Sequence, residues 1–452
     1  MNHNRFTRRD FLRMSAIAAG TALVSCTPAP APASQEGQSP AAATTQIQFW
    51  WGWSPEHLVN AINTVVDDFM EQNPDVQVET GQHEWGERLP TALAAGTPPD
   101  LFNMGPPAEF AARGAIIPID DYMAQSTVAN KDSFPEVMIT QGTWRGEVYG
   151  VPGLENFALL AFGMNQNRLL EAGLTGTVED LPTTWDEGLE QVKTYSKFDD
   201  AGNIDLLWYN IEERDWAENG ALLGIEVYDG VNEQFHFDDE RWVEYFQWLQ
   251  EYYDFLGVDK VDAFFSSYTG WAGVPGCSLC VGKQAGLQDG YWTPGAIAQT
   301  MSDEKFIYSW PTVPAARAGV KVQMLGIHHD MIAKDSPNPE EAWRLAEYIA
   351  TDEANKTMFD SVGWLIPTNA VMEDPESMID VDKYDGLRFY IESLAQADEL
   401  WAYPACPVDT FVIDQFSKAR DAVVYHEKSI EQAMADLQSA VTEELEKTVN
   451  AS

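Results

Sequence analysis

The chain has 452 residues, of which 45% are hydrophobic and 12% aromatic, with 16 Trp. That length exceeds one ordinary core, so two domains are expected. The 71 acidic residues against 27 basic ones give a formal charge of −44. This excludes nucleic acid and anionic lipid as ligands, because phosphate contacts need clustered Lys and Arg.

Residues Thr7 to Arg13 read TRRDFLR, a twin-arginine export signal. The apolar run Met14 to Val24 is shorter than the ~20 residues that a bilayer span needs. Leu23-Val24-Ser25-Cys26 resembles a lipobox, so cleavage before Cys26 leaves an acylated first residue that anchors the chain. Residues 27–45 are rich in Pro, Ala, Ser and Gln without apolar period, as in a flexible spacer. Removing residues 1–25 takes away four Arg and one Asp and moves the charge to −47. Such a self-repelling chain suits a saline medium that screens charge. With Cys26 lipidated, three cysteines remain, and at most one disulfide forms. The candidates are Cys277–Cys280 or either of these with Cys406, and a zinc reading of that CxxC lacks two further ligands nearby.

Ile47 to Trp51 reads as a strand and Pro55 to Gln72 as a helix whose apolar residues, from Leu58 to Met70, form one stripe. Val76 to Thr80 and Leu101 to Met104 are the next strands, with a helix over Trp85 to Ala95 between them. This alternation predicts a parallel sheet, in which ligands gather at the carboxyl ends of strands. Those ends carry Trp51, Trp53, His83, Glu84, Trp85 and Glu109. No phosphate-loop glycine pattern follows any of them.

The run Val148 to Gly153 is too densely punctuated by Gly and Pro for a helix, and Phe157 to Met164 reads as a buried strand. Asn165 is the expected N-cap of a short helix, Gln166 to Ala172, closed by Gly173. Pro182 to Tyr195 starts a helix with Thr184 and Glu187 spaced as a capping box. Ile204 to Tyr209 is a strand, followed by the polar segment Tyr209 to Trp216 that contains Asp215. Trp242 to Phe255 is an aromatic-rich helix. Ser309 to Pro314 is extended, and Met324 to Ala333 is a strand in which His328 and His329 point to opposite faces. Asn338-Pro339-Glu340-Glu341 opens a well-marked helix. Asp398 to Pro407, with Trp401 and Tyr403, reads as irregular rim, and Ile430, Met434, Leu437, Val441 and Leu445 form a final helical stripe.

Several of these stretches together resemble the bacterial extracellular solute-binding proteins, family 1, the group that contains the maltose-binding protein. The resemblance lies in Val148-Tyr149-Gly150-Val151-Pro152, in a strand ending Gly163-Met164-Asn165 with Met164 where the family has Tyr, and in the helix ending Ala172-Gly173-Leu174. It continues at Pro182 to Glu187, at Gly282-Lys283-Gln284-Ala285-Gly286, and at Gly363 to Thr368. It spans about residues 46 to 450. It implies a two-lobed α/β fold of the periplasmic-binding-protein type II, each lobe a mixed, mostly parallel sheet flanked by helices, with three interlobe crossings. The first lobe is then 46–150 plus 327–366 and the second 151–326 plus 367–452. It further implies that Glu155 and Trp292 stand where the family contacts sugar, and that the loop after Tyr209 borders the ligand.

The function expected is sugar or oligosaccharide binding in an interlobe cleft, for delivery to an ABC importer. Indoles cover the apolar face of a sugar ring, while carboxylates and amides take its hydroxyls. The stacking candidates are Trp51, Trp53, Trp85, Trp292 and Trp401, and the polar candidates Glu84, Glu155, Asn156 and Asp215. The expected protein is a monomer outside the cytoplasm, lipid-anchored at Cys26 and without cofactor or metal. A second reading is a binder of cationic solutes, since aromatic cages with carboxylates also suit polyamines and quaternary amines. Glycoside cleavage is a third, but no catalytic signature marks it.

Overall fold

The structure is a computed structural model that describes residues 44–83, 88–210, 215–269, 271–326 and 328–451. The export signal, Cys26, most of the spacer, Glu84 and Trp85 lie outside the described residues.

The first sheet grows from the strand–helix alternation at the start. β1 (Thr45–Trp51) leads through α1 (Glu56–Gln72) to β2 (Val76–Gln82), then through α2 (Arg88–Ala94) to β3 (Leu101–Met104). β1 lies between β2 and β3 and is parallel to both. The apolar stripe of α1 is buried on this sheet, with Leu58, Ile62, Val65, Val66 and Phe69 all sealed. Because strand neighbours face opposite ways, Trp51 enters that core, whereas Trp50 turns to the other face with Leu89, Phe102 and Phe110. Two further strands, β6 (Val151–Pro152) and β15 (His329–Ile332), complete the sheet in the order β2-β1-β3-β15-β6.

Between them come α3 (Pro107–Ala112), α4 (Glu136–Gln141) and the hairpin of β4 (Thr143–Trp144) with β5 (Glu147–Val148). β6 (Val151–Pro152) belongs to the first sheet and β7 (Ala161–Asn165) to the second. The strand expected from Phe157 starts later, at Ala161, while Ala158 is bridged to Leu325. Asn165 caps α5 (Gln166–Glu171), its side chain accepting from the N–H groups of Asn167 and Arg168. Thr184 and Glu187 form the expected capping box of α6 (Trp185–Tyr195).

The second sheet also takes β8 (Lys197–Phe198), β9 (Ile204–Asn210), β12 (Gln284–Asp289) and β13 (Phe306–Ser309), in the order β13-β7-β12-β9-β8. Only β12 and β9 pair in parallel within it. Its helices include α7 (Trp216–Leu223), α8 (Arg241–Leu256) and α9 (Trp292–Thr300). The small hairpin of β10 (Tyr228–Asp229) and β11 (Gln234–Phe235) follows α7.

The strand expected over Met324 to Ala333 is two. β14 (Val322–Leu325) ends before Gly326, and β15 (His329–Ile332) enters the first sheet beside β3. After β15, α10 (Pro339–Ile349) and α11 (Asp352–Val362) pack on α1 and on the first sheet. The stretch read as irregular rim contains β16 (Glu399–Ala402), which pairs in parallel with β14. A strand this short is held by its partner, not by its own propensity. α12 (Asp409–Val424) and α13 (Ile430–Ala451) close the second lobe, and the stripe from Met434 to Leu445 is buried there. Cys277 and Cys280 form the disulfide, and Cys406 is a buried free thiol. Among the described residues, no helix is long and apolar enough to cross a membrane.

Candidate functional site

Four tryptophans from four distant parts of the chain line one cavity of about 300 Å³, together with Glu155 and His328. They are Trp53, Trp271, Trp292 and Trp364. The volume is at the lower end of the ~300–1,000 Å³ typical of small-molecule sites. Its position follows from topology, since Trp53 lies just past the carboxyl end of β1 and Trp292 just past that of β12. Open α/β sheets bind ligands at such ends.

The chain segments that pass between the two sheets supply the polar groups. Glu155 follows β6, and His328 precedes β15. His328 Nδ1 donates to Glu155 Oε2 at 2.6 Å, which fixes both the imidazole and the carboxylate. Glu155 Oε1 is buried without a hydrogen-bond partner, and so is Trp292 Nε1. The Tyr291 hydroxyl donates to the Leu365 carbonyl at 3.2 Å. Burial, and after it the nearby Glu155 charge, pushes the Tyr291 phenol well above its usual range. Among the described residues that line the cavity, Glu155 Oε1 and Trp292 Nε1 are thus an acceptor and a donor beside the indole walls.

The indoles are held by their neighbours. Trp53 packs against Trp364 at 4.7 Å and meets the His328 ring edge-on at 4.9 Å. Trp292 folds back over Gly290, where an added Cβ would stand 2.2 Å from a ring carbon. Trp271 does the same over Gly273, at 2.4 Å. Both glycines are required by close approach of a ring. The turn carrying Trp271 is stapled by the Cys277–Cys280 disulfide and by Ser278, whose N–H and hydroxyl donate to the Thr269 carbonyl.

The structure brings together only some of the residues singled out from sequence. Trp53, Glu155 and Trp292 line this cavity. Trp51 is sealed in the first-lobe core, 1% exposed and 5.3 Å from Phe49. Asn156 braces the passage instead, donating from Nδ2 to the His328 carbonyl at 2.6 Å. Asp215 is the N-cap of α7, and its second oxygen accepts from the Tyr403 hydroxyl at 2.8 Å. Trp401, on β16, borders a different cavity. Trp271 and Trp364 were missed as wall residues. Trp271 carried a usable signal, a loop Trp set between glycines as Trp53 is next to Gly52.

Residues 56–356 match the model of the bacterial extracellular solute-binding protein family. No curated protein matches the chain. Among solved structures, the chain is similar to CpMnBP1 with mannotriose bound, at 20% identity and a TM-score of 0.76 over 88% of this chain and 100% of that one. It is similar to the ABC substrate-binding protein Lmo0181 from Listeria monocytogenes in complex with cycloalternan, at 17% identity and 0.71, covering 89% and 99%. It is also similar to the maltose/maltodextrin-binding domain MalE from Bdellovibrio bacteriovorus bound to maltotriose, at 17% and 0.69, covering 89% and 100%. The likeness gives the two-lobed α/β fold, one five-stranded sheet in each lobe. With that fold, and with a family match over most of its length, the chain belongs to the bacterial extracellular solute-binding proteins.

Proposed function

We propose that this protein is the extracytoplasmic binding lipoprotein of an ABC importer, and that it holds a sugar or oligosaccharide in the four-indole cavity. The observation that carries the reading is the wall itself: Trp53, Trp271, Trp292 and Trp364 around Glu155. A sugar ring lays its C–H face on an indole without needing a charged partner. Its hydroxyl edge would donate to Glu155 Oε1 and accept from Trp292 Nε1, the two unused polar atoms. A hydrogen bond to a carboxylate contributes ~1.5–3 kcal/mol, and micromolar affinity needs about 8 kcal/mol, so stacking and a few such bonds suffice. The solutes held by the similar structures, mannotriose, cycloalternan and maltotriose, are of this class.

The first-lobe residue Trp53 and the second-lobe residue Trp292 share one cavity, so closure of the lobes about the passages near Val151, Leu325 and Pro367 would complete the site. The importer would then read the closed form. The protein acts as a monomer and without a cofactor. Among the described residues lining the cavity, Glu155 is the only carboxylate. The anchor is Cys26, and Cys26→Ala should release the protein into the medium.

One feature favours a second reading. A carboxylate among four indoles also suits a quaternary ammonium or polyamine. A thermal-shift screen decides, because a ligand stabilises by RT ln(1 + [L]/Kd). Neutral mono- or oligosaccharides should raise Tm, while a rise with choline or spermidine alone would replace the sugar by a cation.

A further inference from the structure

A larger cavity, of about 710 Å³, lies on the other side of the segments that join the two sheets. Hydrogen bonds order those segments side by side. β16 pairs with β14, β14 bonds to residues 157–160, and Asn156 N–H donates to the Leu365 carbonyl next to Trp364. The four-indole cavity is at the Trp364 and Glu155 edge of this ribbon. The larger one is at the β16 edge, bordered by Met324, Leu400 and Trp401. The ribbon separates them.

Both lobes build its walls. The first contributes α4 and the β4–β5 hairpin, with Gln141 and Trp144, and the second contributes Tyr228 and its neighbours. At the rim the two hairpin tips meet through Arg145 and Glu233, 3.5 Å apart. Arg145 has φ 49° and Glu233 φ 52°, left-handed conformations that non-glycine residues adopt at a cost. Strain on both partners of one contact marks the rim as held in place by its surroundings. Within the wall, Gln141 is 2% exposed. Its Nε2 donates to the Leu325 carbonyl at 3.1 Å, which orients the amide, and its Oε1 is left buried without a partner. An unsatisfied buried acceptor costs ~1–3 kcal/mol, which a ligand donor would relieve.

We infer that this cavity is a second saccharide site, separate from the four-indole one and suited by its volume to a longer neutral chain. Trp144 and Trp401 provide ring-stacking faces, and Gln141 Oε1 accepts from a hydroxyl. The same pairing of aromatic planes with an unused polar atom defines the first cavity, but here the space is more than twice as large.

Hydrogen-exchange mass spectrometry of the exported chain tests this, with millimolar maltotriose and mannotriose as probes. At least one probe should slow exchange in segments 139–146, 225–231 and 400–405. That protection should persist in Trp292→Ala, which removes a wall of the first cavity only. It should weaken by about tenfold in apparent affinity in Trp401→Ala, the size expected for one lost stacking face, and likewise in Gln141→Leu. Protection confined to the segments around Trp53, Trp271 and Trp364 would leave the first site standing and overturn the second. No protection of the three segments by either probe also overturns it, whatever happens at the first cavity.

Discussion

Replacing Asp330 by Asn should abolish one component of the pH dependence of stability. Asp330 is on β15, opposite Val151 of β6, where a chain segment enters the first sheet from the second. It is 1% exposed, and Asn103 Nδ2 donates to its Oδ1 at 2.7 Å while Oδ2 has no partner. Burial, opposed in part by that bond, raises its pKa from 3.8 to about 7. A raised carboxylate pKa means that the folded state holds its proton longer than the unfolded state does. Below the unfolded value both states are protonated and there is no penalty. Between about 4 and about 7 only the unfolded chain ionises, so stability falls by ~1.4 kcal/mol per pH unit. Above about 7 both are ionised, and a penalty on the order of 4 kcal/mol stays constant. Asn keeps an acceptor for Asn103 and cannot ionise. Urea unfolding of both proteins from pH 4 to pH 8 should show the variant gaining on the wild type along that slope, whatever constant offset the new N–H₂ introduces. A difference that stays flat across the range would mean that Asp330 has the same pKa in the folded and unfolded chain.

Other perturbations address the site and the surface. Gly290→Ala places a Cβ against the Trp292 ring, an overpacking that costs ~1–3 kcal/mol, so sugar affinity should drop by about tenfold while circular dichroism keeps the native shape. Glu155→Gln removes a charged acceptor and should weaken sugar binding by ~1.5–3 kcal/mol in calorimetry; unchanged affinity would remove Glu155 from the site. With a charge of −44, NaCl should raise the midpoint of unfolding by screening self-repulsion, and a midpoint indifferent to salt counts against adaptation to a saline medium.

Local chemistry made much of the fold legible. The α1 stripe, the Asn165 cap and the Thr184–Glu187 box are written within a few residues of one another, and each is found as read. The elements misjudged depend on distant partners. β16 exists because β14 lies beside it, and Pro404 and Pro407 nearby pointed toward irregular structure. Gly286 is a poor strand former inside β12, yet that glycine lets Met164 of β7 pack against it, since a Cβ there would stand 1.9 Å from the Met164 sulfur.

The site was legible in kind and only partly in detail. Tryptophan abundance pointed to stacking, but which tryptophans meet is a long-range fact. Trp53 and Trp364 touch across more than three hundred positions. Trp50, Trp51 and Trp53 look alike in the sequence, and strand alternation sends the first two into separate cores while the third reaches the cavity. Asp215 is polar and near the cleft in sequence terms, yet its carboxylate is consumed by capping and by Tyr403.

The proposed grip on a neutral saccharide rests on four indoles and Glu155. The most direct measurement is a tryptophan-fluorescence titration of the wild type, Trp292→Ala and Trp364→Ala with the saccharide that most raises Tm. A saturable change is expected in the wild type, with affinities reduced at least tenfold in both variants. Equal affinity in all three proteins would contradict that grip.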